Sequence, residues 1–255
     1  MISKDLTSAL GLGSGEHVAI VGGGGKTSLM FALADELRSG GRRVVTTTTT
    51  KVRKREAYRS SCVSFIPSDT VWQKTLRDSI DRHGHVFVAR SRLESGKIEG
   101  IPAALADAIY QEPQVDYLIL EADGAAGRPV KVPAGHEPVI PSSASVTVAM
   151  MGLEALGKQL DKKVVFRLDQ FKEVTGLKLG DTLTSKALAK IFCEPKGLFK
   201  GTPMSATRVA FLNKLDLLTN DREAKELAEL LLQDINNPVN RVVVGSIIRK
   251  YYLTY

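Results

Sequence analysis

A glycine-rich segment followed by lysine and threonine is the part of this chain best suited to chemistry. It follows an apolar run, His17–Val21, and precedes a helix-like stretch, Leu29–Ser39. Glycines let the backbone approach a polyphosphate and turn N–H groups toward it, and the start of the next helix adds a positive end. The pattern predicts a phosphate-binding loop in which Lys26 bridges the β- and γ-phosphates and Thr27 ligates Mg²⁺. The expected nucleotide contacts are Gly22, Gly23, Gly24, Gly25, Lys26, Thr27 and Ser28.

This segment departs from the usual phosphate-loop pattern at one position. A glycine is expected five residues before Gly25, and Ile20 stands there. The loop is therefore shorter or is entered differently, with Gly22 as its expected first turn. A merely flexible glycine loop is the alternative, but Lys-Thr at the start of an amphipathic helix favours the phosphate site.

A second cluster follows the apolar run Tyr117–Leu120. Glu121 and Asp123 come directly after it, and Gly124 follows. Carboxylates at a strand end can hold Mg²⁺, directly or through water, and can orient an attacking water. We expect Glu121 and Asp123 to act as metal ligands and, with Lys26, as catalytic residues, while Gly124 lets a backbone N–H approach the γ-phosphate.

Five consecutive threonines end another apolar run, Val44–Lys51. The first of them suit a β-branched strand, which is sufficient explanation for those positions. Threonines past the strand end could lie beside the phosphate loop, near the γ-phosphate and the metal. Thr48, Thr49 and Lys51 are therefore candidate ligand contacts.

A fourth cluster, Asn213-Lys214-Leu215-Asp216, follows the strand-like run Arg208–Leu212. In guanine-nucleotide proteins an Asn-Lys-x-Asp element reads the base, with Asp accepting from the guanine ring and the Lys stem lying against it. Asn213, Lys214 and Asp216 are the predicted base contacts. A helix-entry loop that only supplies caps is the alternative.

Apolar, β-branched runs alternate with amphipathic stretches along the chain. This alternation predicts an α/β protein: a three-layer P-loop NTPase fold with a mostly parallel sheet, helices on both faces, and ligands beyond the carboxyl ends of the strands. The predicted strands are Val18–Val21, Arg43–Thr47, Val63–Ile66, Val86–Ala89, Tyr117–Leu120, Ser145–Met150, Val209–Leu212 and Val242–Ser246. The predicted helices between them are Thr27–Ser39, Ser68–His83, Ile101–Gln111 and Asp221–Ile235.

The segment from about 153 to 203 breaks this rhythm. We expect a small helical insertion there, with helices at Leu168–Thr175 and Thr184–Phe192, within one domain spanning residues 1–255. The insertion could shape an acceptor pocket or a partner surface, or could simply fill space.

Composition narrows the class of protein. With 255 residues, 43% apolar and 25% charged, the chain is typical of a soluble globular domain. The net charge of +7 suits an anionic ligand, but no stretch interleaves basic and aromatic residues, so nucleic acid is not expected. The basic run Lys51–Arg55 is a solvated loop or an edge facing phosphate or a partner. Two separated cysteines and the lack of a leader or membrane-spanning run favour the cytoplasm.

The motifs together resemble the YqeC family of accessory proteins of selenium-dependent molybdenum hydroxylases. The resemblance extends over nearly the whole chain, and the Glu121–Pro141 block is its most specific part. It implies a P-loop fold, GTP or ATP with Mg²⁺ as ligands, and a role in making or inserting a selenium-containing cofactor, with a molybdenum hydroxylase or its cofactor as partner. The matching segments are Val21–Ser28, Val44–Val52, Glu121–Pro141, Gly197–Pro203 and Phe211–Asp216.

The acidic strand end also resembles that of GTPases that load nickel or cobalamin into enzymes, which often act as dimers, so a homodimer is left open. Those chaperones carry a Cys/His metal-binding motif. The nearest feature here, His83 and His85, is a poor ligand pair, which argues against metal carriage. Cys193 is a candidate selenium or sulfur carrier or, more simply, a small buried residue.

Within the matching block, Arg128 and Lys131 could contact phosphates or an anionic cofactor. His136 could be a general base, a ligand or a structural residue.

Three functions remain open from the sequence. The leading one is a nucleotide-hydrolysing maturation factor whose loops switch on hydrolysis. A second is a phosphoryl or nucleotidyl transferase acting on a cofactor precursor, with Arg128, Lys131 and His136 in the acceptor pocket. The third is a non-catalytic scaffold that binds nucleotide as a structural ligand, which the incomplete loop at Ile20 supports.

Overall fold

The computed structural model describes residues 2–66, 72–234 and 239–255. Eight helices are found in these ranges: α1 (Leu6–Leu10), α2 (Lys26–Ser39), α3 (Lys54–Ala57), α4 (Trp72–His83), α5 (Ala103–Tyr110), α6 (Leu168–Thr175), α7 (Ser185–Cys193) and α8 (Arg222–Leu232). The strands are β1 (Ile2–Ser3), β2 (His17–Gly22), β3 (Val44–Thr48), β4 (Lys51–Arg53), β5 (Val63–Phe65), β6 (His85–Ala89), β7 (Ser91–Arg92), β8 (Lys97–Glu99), β9 (Tyr117–Glu121), β10 (Val130–Lys131), β11 (Val146–Gly152), β12 (Val165–Phe166), β13 (Thr207–Asn213), β14 (Arg241–Ser246) and β15 (Tyr251–Thr254).

A ten-stranded sheet forms the centre of the fold. Its strand order is β1-β15-β14-β13-β11-β2-β9-β3-β6-β5. The eight strands from β14 to β5 are parallel, and only β1 and β15 pair antiparallel at one edge. All eight predicted strands are in this parallel part, so the predicted α/β class with a mostly parallel sheet is confirmed.

Alternate residues of the central strands belong to two separate hydrophobic cores, one on each face of the sheet. In β2, Val18 and Ile20 join the core packed under α1 and α2, whereas Ala19 and Val21 join the core packed under α4, α5, α7 and α8. Strands buried on both faces read as continuous apolar runs because neither face meets water. The three-layer arrangement follows directly from this pattern.

Helix positions agree with the sequence within one to four residues. The predicted helix Ser68–His83 is observed as α4 from Trp72, and its predicted first residues lie outside the described residues, as does the predicted end of the last helix at Ile235. Between β11 and β13 the chain forms α6, α7 and the short strand β12, which pairs in parallel with β10. The division into one domain with an insertion at about 153–203 stays a prediction.

A small three-stranded antiparallel sheet, β4-β8-β7, stands apart from the central one. It follows the end of β3 and was not predicted from the sequence. None of the helices in the described ranges is both long and apolar enough to cross a bilayer.

Candidate functional site

The four chemical clusters converge because their strands are parallel. The strand β2 lies between β9 and β11, and β13 follows β11, so their carboxyl ends share one edge of the sheet. Ile20 is opposite Glu121, and Gly152 is opposite Asn213. A cleft of about 830 Å³ opens at this edge, over the glycine loop.

The glycine loop is packed closely against the end of β11. Gly22 and Gly24 have φ values of 92° and 71°, and a Cβ there would come within 2.2 Å of the Met150 carbonyl oxygen and 2.1 Å of the Gly152 nitrogen. The N–H of Gly23 donates to the same Met150 carbonyl over 2.9 Å. Only glycine fits such positions, which favours a loop of fixed conformation over a merely flexible one.

The helix α2 presents its free amino end to the cleft. Its first internal hydrogen bond runs from the Leu29 N–H to the Gly25 carbonyl over 3.0 Å. The N–H groups of Lys26, Thr27 and Ser28 precede that bond, and all three residues line the cleft. N–H groups at a helix start have no partner within the helix and attract anions, so this end can receive a phosphate.

Lys26 lies under the loop, held by two acceptors. Its Nζ donates to the Gly22 carbonyl at 2.7 Å and pairs with Asp123 Oδ1 at 3.3 Å. Both Asp123 oxygens also accept from the Gly22 N–H at 3.1 Å. Because Lys26 and Asp123 are only 5% and 1% exposed, this contact fixes the loop to the end of β9.

The contacts continue away from the loop as a buried chain of charges, here called the ion network: Lys26, Asp123, Lys131, Glu137 and Arg167. Lys131 is fully buried between Asp123, at 3.1 Å, and Glu137, at 2.9 Å, and Glu137 also pairs with Arg167 at 3.0 Å. Burial alone would raise the pKa of Glu137, but the hydrogen bonds and charges of Lys131 and Arg167 outweigh it and lower that pKa to about 2.

The network changes the expected role of Asp123. Its two oxygens already serve a loop N–H and two ammonium groups. This favours a role in holding the loop over the predicted role as a Mg²⁺ ligand. Lys131, predicted as a phosphate contact, is likewise enclosed by carboxylates rather than facing the cleft.

Glu121 offers a different environment. It lines the cleft, is 6% exposed, and its Oε1 has no hydrogen-bond partner among the described residues. Burial raises the pKa of Glu121, against the opposing effects of the Lys26 charge and the nearby Thr27 side chain. A buried carboxylate oxygen that lacks a donor, close to a hydroxyl, fits the hard oxygen ligands of Mg²⁺. Thr27 and Glu121 are therefore the residues that could hold this ion.

No cluster of three or more His, Cys, Asp or Glu that could hold a metal occurs in the described ranges. A Mg²⁺ at Thr27 and Glu121 would complete its shell with phosphate oxygens and water, as this small cation commonly does.

The threonine run is structural for most of its length. Thr48 is fully buried and donates through its hydroxyl to the Glu121 carbonyl at 3.0 Å. Thr49 donates to the Val139 carbonyl at 2.9 Å. The expectation that these hydroxyls lie beside the phosphate loop does not match the sheet order, because β9 lies between β2 and β3. Lys51, at the start of β4, does line the cleft.

Asn213 joins the loop to its neighbours. Its Nδ2 donates to the Gly24 carbonyl at 2.9 Å, and its Oδ1 accepts from the Ile247 N–H at 3.2 Å. The side chain is 4% exposed. Asn213 thus holds the phosphate loop against the turn after β14.

The rest of the Asn-Lys-x-Asp element is only partly in the cleft. Lys214 lines it and forms an ion pair with Glu154. Asp216 lies in a short 3₁₀ turn, is exposed, and is outside the residues that line the cleft.

Of the other predicted residues, Gly124 and Arg128 line the cleft and His136 does not. Arg128 donates to the carbonyls of Lys162 and Ala126 at 3.1 and 2.8 Å. Sequence reasoning missed Glu137 and Arg167 as site residues, since nothing local marks them as partners of Lys131.

The two candidate carriers, the His83/His85 pair and Cys193, are not in the cleft lining either. His85 is buried against the Thr46 hydroxyl, at 2.9 Å, and burial lowers its pKa to about 4. Burial and nearby acids raise the pKa of Cys193 to about 12, which disfavours the thiolate.

Comparison with known proteins places these features in a family. The model of the YqeC protein family matches residues 18–169. An uncharacterized protein YqeC from Escherichia coli strain K12 is 35% identical over 230 residues, covering 90% of this chain and 87% of that protein. The chain belongs to the YqeC family. The family match includes the phosphate loop, the acidic strand end and the ion network of this YqeC chain, and it ends before Asn213.

Two solved structures are similar at low identity. Chloroplast FtsY from Physcomitrella patens is 16% identical with a TM-score of 0.44, covering 95% of this chain and 63% of that one. The signal recognition particle receptor FtsY from Elizabethkingia anophelis is 14% identical with a TM-score of 0.38, covering 93% and 61%. The YqeC chain thus spans less than two thirds of either FtsY chain, and at these values the likeness carries no argument about function.

Proposed function

We propose that this YqeC chain binds a Mg²⁺–nucleoside triphosphate in the cleft and hydrolyses it. The observation that carries the proposal is the packed glycine loop, which leads into the first N–H groups of α2. Beside them lies a buried carboxylate oxygen of Glu121 that has no hydrogen-bond partner in the part of the chain that the structure describes. A cradle for phosphate and a ligand for its metal thus meet at one sheet edge.

Each residue has a distinct task in this mechanism. The N–H groups of Lys26, Thr27 and Ser28 bind phosphate oxygens, and the Lys26 ammonium turns from the Gly22 carbonyl toward the β- and γ-phosphates. Bound Mg²⁺ supplies neutralisation of the phosphate charge. Glu121 and the Thr27 hydroxyl position that ion, and Glu121 also orients the attacking water. Gly124, which lines the cleft with open space at its Cβ position, lets the backbone approach the γ-phosphate.

We assign guanine as the preferred base. Lys214 lines the cleft, and the Asp216 carboxylate two residues later is exposed and free to accept from a base edge. GTP should bind more tightly than ATP, and Asp216→Asn should remove that preference. A parent protein that prefers ATP would contradict this assignment without affecting the phosphate site.

The family resemblance supports the biological role that we propose here: maturation of a selenium-dependent molybdenum hydroxylase or its cofactor. Hydrolysis would change the conformation of the loop and, through the ion network, the contacts of the half-buried Arg167. We expect the chain, as monomer or homodimer, to bind a molybdenum hydroxylase more tightly with a non-hydrolysable nucleotide than with the diphosphate. Equal binding in both states, measured with purified proteins, would contradict the coupling.

The decisive experiment compares Lys26→Ala with Lys186→Ala. Lys186 is an exposed residue on α7 outside the cleft lining, so it controls for loss of a positive charge. Thermal shifts with Mg²⁺ and a nucleotide panel, followed by phosphate release, should show binding and turnover in the parent and the control and strong loss in Lys26→Ala. Turnover at the parent rate in Lys26→Ala would refute the site. Tight nucleotide binding by the parent without any turnover would support the scaffold alternative.

A further inference from the structure

The cleft extends well beyond the phosphate loop, onto a basic wall. This wall, here called the basic arm, consists of residues 51–59, which include β4 and α3, together with β8. Five of its cations line the cleft: Lys51, Arg53, Arg55, Arg59 and Lys97. Glu56 is the only acidic residue of the arm in that lining.

The opposite wall of the cleft is basic too, but three of its four cations have a carboxylate partner; Arg128, the fourth, donates to backbone carbonyls. Lys26 pairs with Asp123, Arg167 with Glu137, and Lys214 with Glu154. A cation that is already in contact with a carboxylate gains little from binding a further anion. This wall can hold a triphosphate through N–H groups without a large excess of positive charge.

The basic arm lacks such compensation. None of its five cleft-lining cations forms an ion pair with any residue in the described ranges. Arg53 lies directly opposite Lys97 in the antiparallel pairing of β4 with β8. Like charges opposite each other on one face of a sheet repel, and an anion between them would relieve that repulsion.

The arm is fixed in place over the site. The N–H groups of Gly100 and Ile101 donate to the carbonyls of Thr50 and Thr48 at 2.8 and 2.9 Å. A Cβ at Gly100 would come within 2.0 Å of the Thr48 carbonyl oxygen, so the return of the arm is packed against the end of β3. Thr48 in turn is bonded to the Glu121 carbonyl, which sets the arm at the metal side of the cleft.

We propose that the basic arm, centred on Arg53 and Lys97, binds the phosphate group of a second ligand while nucleotide occupies the loop. Arginine holds phosphate through paired N–H donors, and a neighbouring lysine adds a point charge. The proposal rests on the proposed function for the identity of the neighbouring nucleotide. A transferase requires an acceptor beside the triphosphate, and an acceptor that carries a phosphate group would suit this arm.

The test uses inorganic phosphate as the probe. It is titrated by calorimetry into the full chain saturated with Mg²⁺ and a non-hydrolysable GTP analogue, so that the loop is filled. The variant Arg53→Gln with Lys97→Gln is compared with a charge-matched control, Arg222→Gln with Lys186→Gln, whose residues are exposed and outside the cleft lining.

The parent and the control should bind phosphate equally, and the arm variant should bind it about tenfold or more weakly, as expected for two lost charge-assisted hydrogen bonds. Nucleotide affinity should be unchanged in the arm variant, and its melting temperature without ligands should not fall, since a repulsive pair has been removed. Equal phosphate binding by the arm variant, or no binding by the parent, would overturn the proposal.

Other outcomes are equally informative. If the arm variant loses affinity for the nucleotide instead of for phosphate, the arm serves the triphosphate itself and the second-ligand proposal is wrong. If no nucleotide binds, phosphate is titrated into the Lys26→Ala variant. Binding that still depends on Arg53 and Lys97 would then support the arm while the proposed function fails.

Discussion

Asp123 offers the sharpest test of how this site is built. The structure gives it one loop N–H and two lysine partners in a buried position at the floor of the cleft. Asp123→Asn keeps the size of the side chain but removes the charge between Lys26 and Lys131. Breaking a buried ion pair in this way costs about 3–5 kcal/mol. We expect the lower end, about 3 kcal/mol, because Lys131 keeps Glu137 and Lys26 keeps the Gly22 carbonyl.

The assay pairs this variant with Glu121→Gln. Urea denaturation gives the free energy of unfolding of each protein, and nucleotide binding at increasing Mg²⁺ concentration gives the Mg²⁺ requirement. Asp123→Asn should lose stability, and any nucleotide binding it retains should need the same Mg²⁺ concentration as the parent. Glu121→Gln should show the opposite pattern, since it replaces a buried carboxylate with a neutral side chain of the same shape but removes a metal ligand.

Two results would refute this reasoning. One is a loss of less than about 1 kcal/mol in Asp123→Asn, which would mean that the buried pair contributes no more than a surface one. The other is a raised Mg²⁺ requirement in Asp123→Asn alone, which would restore Asp123 as the metal ligand. As a control, adding Lys26→Met to Asp123→Asn should recover part of the lost stability, because Lys26 loses its carboxylate partner in that variant whereas Lys131 keeps Glu137.

Three further predictions concern titrating groups. Because the pKa of Glu137 is lowered to about 2, its stabilising contribution is complete above pH 4.5 and is lost as pH falls toward 2. In urea denaturation, the free energy of unfolding of Glu137→Gln should therefore depend on pH less than that of the parent, by up to about 3 kcal/mol. The same pH dependence in both proteins would exclude the network. His85 is neutral in the fold with a pKa of about 4, so stability should decrease from pH 6.5 to 4 by up to about 3 kcal/mol, and His85→Gln should flatten that decrease. With its pKa at about 12, Cys193 in a Cys62→Ser background should react with iodoacetamide at neutral pH far more slowly in the native than in the unfolded chain; rapid native reaction would reopen a carrier role.

The central sheet was predictable because its signals are local. A strand buried on both faces must be apolar throughout, and eight such runs in the sequence became the eight parallel strands. The convergence of the glycine loop and Glu121 at one edge of the sheet was predictable for the same reason: each lies at the end of its own strand. Parallel strands then bring their ends together without further information from the sequence.

The basic arm illustrates what local signals cannot show. Its strands are only three residues long and charged, so Lys51–Arg55 is equally consistent with a solvated loop and with a ligand-facing edge. The ligand-facing edge is favoured by the pairing of β4 with β8, more than forty residues later, and by the hydrogen bond from the Gly100 N–H to the Thr50 carbonyl. The same holds for Glu137 and Arg167, thirty residues apart, whose pairing depends on how β12 lies beside β10.

The ion network connects the glycine loop to the start of α6. Its five members comprise three cations and two carboxylates, so it has one excess positive charge, with Lys26 at one end and Arg167 at the other. A phosphate that draws Lys26 toward itself leaves Asp123 with Lys131 alone, which strengthens that pair and weakens the attraction of Lys131 for Glu137. Glu137 then relies more on Arg167, the residue that begins α6 with a left-handed backbone, φ 67°. A change of charge at the loop would thereby alter the contacts of Arg167 at the start of α6, about forty residues along the chain from Asp123.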